Sequence, residues 1–231
     1  MRLIFVRHGE PDYANDCLTE NGRLQAQCTA ERLQKEPLKA IYSSPMRRAV
    51  ETASYTAKKL GLEIHQLDFM HEINWGSADP QNPLEYDGHI WTLGYQLLSE
   101  YPEFVGSPEW KYHHFFKDNV CMEYYDRLSN EVDFWLAQYG LVRKNGLYER
   151  QRYCDDTVAL FAHGGSGAIF FSHVLNLPLP FVLTTMPYGV CSVSVISFDT
   201  QTDKLIVPRL ELFNDMGHIE NAKKEKLHFE K

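Results

Sequence analysis

The chain has 231 residues, 44% of them hydrophobic, enough to bury the core of one large domain without disulfide or metal staples. Its 23 Lys and Arg against 31 Asp and Glu leave a net charge of −8, which disfavours a nucleic-acid partner because neutralising a phosphate backbone takes a basic footprint. Five scattered cysteines (Cys17, Cys28, Cys121, Cys154 and Cys191) contain no C-x-x-C pair, so neither a disulfide framework nor a zinc centre is expected. The opening MRLIFVRHGE holds only four consecutive apolar residues before Arg7, far short of a signal-peptide core or of the roughly 20 a membrane span needs. The expectation is a soluble cytoplasmic protein with no membrane partner.

Arg2–Val6 is a short apolar run that stops at Arg7-His8-Gly9, the pattern of a buried strand delivering a loop. Thr19 is placed to cap a helix reaching about Glu36, just before Pro37. Ala40–Ser43 reads as a second strand, and Ser44-Pro45 as the cap and first turn of another helix closed by Gly61. Glu63–Leu67 supplies a third strand.

From about residue 70 to 156 the alternation lapses. Met70 to Gly140 holds 12 Asp and Glu against only Lys111, Lys117 and Arg127, and the region contains all four tryptophans. Within it Leu128, Val132, Trp135, Leu136 and Tyr139 mark one apolar helix face. The aromatic residues of this insertion have three uses open to them: a wall over a pocket, a face for a homodimer, or a small private core, of which the last is the expected one.

Alternation resumes with a strand at Thr157–Ala162, a glycine-rich turn at His163–Gly167 and a helix at Ala168–Leu175. Cys191–Phe198 and Lys204–Leu212 read as neighbouring strands separated by a polar turn at Asp199–Asp203, and Ala222–Lys231 as a charged surface tail. The expected fold is an α/β three-layer sandwich with a mostly parallel central sheet flanked by helices, plus a helical insertion, all in one domain over 1–231.

Two segments share one format, a strand followed by His-Gly and a turn: RLIFV before Arg7-His8-Gly9, and VALFA before His163-Gly164-Gly165. Ligands of open parallel sheets collect beyond the carboxyl ends of the strands, so the two imidazoles can converge although 155 positions separate them. The helix start after Gly164 is expected to offer unpaired N–H groups to an anion. Arg7, beside His8, and Arg48, in the first turn of the second helix, add two guanidinium forks suited to phosphate oxygens. A few cations confined to one place in an acidic chain point to a site that holds a single phosphoryl group.

Taken in order, these residues resemble the histidine phosphatase superfamily, also called phosphoglycerate-mutase-like proteins. The resemblance rests on five blocks: Arg7-His8-Gly9-Glu10; Leu18-Thr19-Glu20-Asn21-Gly22 with Gln25-Ala26; Ser43-Ser44-Pro45-Met46-Arg47-Arg48-Ala49 with Glu51-Thr52-Ala53; His71-Glu72-Ile73-Asn74-Trp75-Gly76; and Ala162-His163-Gly164-Gly165. It implies that His8 attacks phosphorus and forms a phosphohistidine, with Arg7, Arg48 and His163 on the phosphoryl oxygens and no metal or other cofactor. It also implies that Glu72 protonates the leaving group; near a dianionic phosphate that carboxyl is expected to titrate higher than usual. Glu10 and Asp79 are weaker substitutes, and Arg47 is expected to be a solvated surface charge.

A metal hydrolase is disfavoured because His71-Glu72 lacks the second histidine of an H-E-x-x-H site. A non-catalytic phospho-ligand module on the same fold is a second rival. Phosphoglycerate mutases resemble Arg-His-Gly-Glu-Ser-x-x-Asn here, whereas this chain reads Arg7-His8-Gly9-Glu10-Pro11-Asp12-Tyr13-Ala14-Asn15, with the asparagine displaced. The expectation is therefore a metal-independent phosphatase for a small phosphomonoester with a modestly charged body, with a mutase-type phosphotransferase as the alternative. No role is assigned to Asn214-Asp215-Met216-Gly217-His218.

Overall fold

The computed structural model describes residues 1–198 and 205–219, so the expected turn at Asp199–Asp203, Lys204 and the tail Ala222–Lys231 lie outside the described residues. The chain opens with β1 (Arg2–Arg7), a short hairpin of β2 (Pro11–Asp12) and β3 (Cys17–Leu18), and α1 (Glu20–Leu33). β4 (Leu38–Ser43), α2 (Arg47–Leu60) and β5 (Ile64–Gln66) follow. The insertion carries α3 (Ile90–Glu100), α4 (His114–Lys117), α5 (Cys121–Ala137) and a hairpin of β6 (Leu141–Lys144) and β7 (Leu147–Arg150). β8 (Thr157–Ala162), α6 (Gly164–Leu175), α7 (Leu179–Thr185), β9 (Val193–Ser197) and β10 (Arg209–Asp215) complete the described chain.

Six strands form the central sheet in the order β10-β9-β1-β8-β4-β5. β1, β8, β4 and β5 run parallel, while β9 and β10 pair antiparallel at one edge. Because successive strand side chains face opposite ways, β1 and β8 feed two cores. Leu3, Phe5, Val158 and Leu160 face one side with Ile169, Phe171 and Val182; Ile4, Val6, Ala159 and Phe161 face the other with Leu33, Ala53 and Ala57. Helices α1 and α2 thus cover one face and α5, α6 and α7 the other, which gives the three-layer α/β arrangement. No helix among the described residues is long and apolar enough to cross a membrane.

Several local expectations need correction. The segment at His163–Gly167 is not a free turn: α6 begins at Gly164, with His163 at its N-cap position. Ser44 is not a helix cap, because Met46 occupies the N-cap position of α2 with no side-chain bond. The last strand starts at Arg209, after Pro208, whose missing N–H cannot join a ladder. The insertion is not wholly helical, since Asn145 and Gly146, both at positive φ, turn the β6–β7 hairpin. Its aromatic residues have no core of their own: Trp110, Phe116, Tyr125 and Trp135 belong to the same buried cluster as Leu3 and Phe5, and Trp135 packs edge-on to Tyr42 of β4 at 5.0 Å. Other signals act where they were read. Thr19 caps α1 by accepting from the Gly22 N–H, and Gly61 closes α2 at φ 67°.

Candidate active site

Arg7 on β1 pairs in register with Ala162 on the parallel neighbour β8, so the next residue of each strand, His8 and His163, leaves the sheet side by side. The His8 N–H donates to the Ala162 carbonyl at 2.9 Å, and the two rings stand 5.1 Å apart, centroid to centroid. Both residues are buried, at 1% and 0% exposure. Burial, reinforced by the adjacent Arg7, drives the His8 imidazole down to about 3, and burial followed by the charges of His8 and Arg48 drives His163 down as well. Both rings are therefore neutral at physiological pH. His8 Nδ1 lies 2.7 Å from the Gly9 carbonyl, an acceptor only, so Nδ1 carries the proton and donates while Nε2 keeps its lone pair.

Arg7, half-buried, anchors Nη1 on the Tyr188 carbonyl at 2.9 Å. Arg48 is 5% exposed on the first turn of α2, with Nη1 held by Asp16 Oδ1 at 2.5 Å. Asp16 is itself fixed, since its second oxygen accepts the Arg47 backbone N–H at 2.9 Å. Among the described residues Arg48 Nε and His163 Nδ1 are buried without a hydrogen-bond partner, a costly state that a ligand oxygen would relieve. Asp16 was not singled out in the sequence, and nothing in its spacing marks it.

Glu72 reaches the site from the segment after β5. Oε1 accepts the N–H groups of Ile73, Gly165 and Ser166 at 3.0, 3.0 and 2.9 Å, and Oε2 accepts only a longer shared contact from Gly165 at 3.2 Å. Two of the amides at the start of α6, those of Gly165 and Ser166, are thus taken by the protein's own carboxylate. Such donors at a helix N-terminus favour a negative charge there. Gly165 makes the approach feasible, because a Cβ there would lie 2.5 Å from Ile73 Cγ1 and 2.8 Å from Glu72 Oε1. Gly164 opens α6 beside the Arg7 guanidinium, and its carbonyl accepts from Tyr188 Oη at 2.6 Å.

The weaker candidates are engaged elsewhere. Glu10 accepts from Thr19 Oγ1 and Asn21 Nδ2 at the start of α1, while Asp79 is exposed and holds Asn82 and the Gln81 N–H. Arg47 is exposed, as expected. Asn15 donates to Asp12 within the β2–β3 turn. Asn214 Oδ1 accepts the Gly189 N–H next to Tyr188 and so braces the loop on which Arg7 rests, while His218 Nε2 lies 3.1 Å from Thr29 Oγ1 on α1. Ser44 Oγ lies 2.7 Å from His163 Nε2, a contact sequence reasoning missed by assigning the hydroxyl to a cap. Among the described residues no group of three or more His, Cys, Asp or Glu is arranged to hold a metal ion.

Fold and site together define an α/β sandwich with two histidines and two arginines gathered beyond the carboxyl ends of its parallel strands. Residues 3–92 match the family described as "Histidine phosphatase superfamily (branch 1)". The chain is 35% identical over 114 residues to phosphoserine phosphatase 1 of Hydrogenobacter thermophilus, covering 45% of this chain and 48% of that one. It is 33% identical over 102 residues to a 2,3-bisphosphoglycerate-dependent phosphoglycerate mutase of Thermoplasma acidophilum, covering 38% and 51%. By these matches the chain spans about half the length of the curated relatives it resembles. A phosphoserine phosphatase of Entamoeba histolytica, solved in complex with phosphoserine, superposes with a TM-score of 0.62 over 94% of this chain and 98% of that one; at 21% identity this likeness is one of fold.

Proposed function

We propose that the protein is a phosphomonoester phosphatase that works through a phosphohistidine on His8 and needs no metal. What supports this reading most is the state of His8: neutral, buried, proton held on Nδ1 by Gly9, with Nε2 left as the nucleophile. Arg7, Arg48 and His163 stabilise the equatorial oxygens of the transferring group. Glu72, held by the Gly165 and Ser166 amides beside these groups, passes a proton to the leaving oxygen. Once the alcohol has left, the same carboxylate takes a proton from the water that attacks phosphohistidine.

Water rather than a second alcohol is the acceptor in this reading. Asn15 is engaged by Asp12, and Asp16 already offsets part of the Arg48 charge, which disfavours a substrate carrying a second anionic group. Trp75, three residues beyond Glu72 and 40% exposed, packs edge-on to Trp91 and His89 and presents an aromatic wall suited to a carbon-rich leaving group. The phosphoglycerate mutase among the relatives keeps phosphotransfer as the second reading. Incubation with a panel of phosphorylated hydroxy acids and amino acids, scoring free phosphate against isomerised ester, separates the two. Free phosphate as the dominant product is expected; predominant isomerisation would reverse the assignment.

A further inference from the structure

Ser44 is fully buried directly after β4, and its backbone N–H donates to the Phe161 carbonyl at 2.8 Å, which fixes it against β8. Its hydroxyl accepts the Met46 N–H at 3.2 Å and lies 2.7 Å from His163 Nε2. A serine hydroxyl has one proton to give and lone pairs to receive. The Met46 amide can only donate and so takes one lone pair of Oγ, while among the described contacts the acceptor within reach of the hydroxyl proton is Nε2. A neutral imidazole that accepts at Nε2 carries its proton at Nδ1. The opposite tautomer would point Nε2–H at Ser44, displace the hydroxyl proton from its acceptor, and leave a bare lone pair at Nδ1.

We infer that Ser44 is a positioning residue: by donating to Nε2 it holds His163 in the Nδ1–H tautomer, so that the ring presents an N–H rather than a lone pair to a phosphoryl oxygen. Nδ1 is the nitrogen left for a ligand, since Nε2 is engaged, and it is buried without a partner among the described residues. With the ring held neutral, the position of its one proton decides whether it attracts or repels an anion. The tautomer is argued from the acceptor it gives the Ser44 hydroxyl proton; its use toward phosphate rests on the function proposed above.

The test is a long-range proton–nitrogen NMR spectrum of the full chain with 15N-labelled histidine at neutral pH, with and without inorganic phosphate. His163 is identified by the resonances lost in His163→Asn. In the wild type the expected pattern is a protonated Nδ1 and an unprotonated Nε2, with phosphate shifting the Nδ1 signal. Ser44→Ala is expected to move the ring toward the Nε2–H tautomer and to weaken phosphate binding on the order of 10-fold, as loss of a ring-orienting partner does elsewhere; Ser44→Thr, which keeps the donor, is expected to retain the wild-type tautomer. A wild-type ring protonated at Nε2 overturns the proposal without any variant, and so does a folded Ser44→Ala protein with an unchanged tautomer. Phosphate that leaves the His163 signals unmoved in a protein with the expected tautomer would overturn the phosphoryl-site reading instead.

Discussion

His8→Ala is expected to lower turnover of any phosphomonoester by about four orders of magnitude or more, with the fold retained. No neighbouring group can take over the attack. His163, the nearest imidazole, has Nε2 engaged by Ser44, and the other ring it faces is the one removed. Glu72 is held through three backbone N–H groups at the start of α6. The arginines stabilise charge but have no lone pair to offer phosphorus. A steady-state assay of phosphate release, run beside a thermal melt, checks this. A folded variant within tenfold of the wild type would remove His8 from the reaction.

Glu72→Gln is expected to slow alkyl esters by about 10²- to 10⁴-fold, the usual contribution of a general acid, while leaving p-nitrophenyl phosphate within a few-fold. The selectivity follows from how the two carboxylate oxygens are used. Oε1 carries the main N–H bonds from Ile73, Gly165 and Ser166, and the amide oxygen of glutamine can keep them. Oε2 has only the longer Gly165 contact, and it is this atom that becomes an NH₂ unable to exchange a proton. Nitrophenolate is stable as an anion and departs without help, whereas an alkoxide does not. Comparing kcat for the two ester types in both proteins decides the matter. Equal losses on both would mean that Glu72 positions the α6 amides rather than carrying the proton.

The strands that deliver the histidines are legible because helices cover both faces of β1 and β8, so each reads as an unbroken apolar run ending in His-Gly. Arg48 is legible as well, since the helix it opens follows a strand end. What lies across the chain is not. The 93 positions between Glu72 and Gly165 carry no sign that a side chain from one would occupy the amides of the other. Ser44-Pro45 has the sequence of a helix cap, and only the placement of β4 beside β8 turns the hydroxyl toward His163 instead. Asp16 sits in a short loop whose contacts are tertiary. The β6–β7 hairpin is a different kind of miss, because Asn145-Gly146 is an open hairpin signal that the acidic, aromatic surroundings obscured.

The account depends on covalent phosphate passing through one imidazole. Rapid mixing of the protein with a phosphomonoester, a quench in alkali, proteolysis and mass spectrometry of the peptide containing His8 test it most directly. The predicted result is a single phosphoryl group on His8, stable in alkali and lost in acid. Continued phosphate release with no such adduct on His8, or with the phosphoryl group trapped on another side chain, would contradict it.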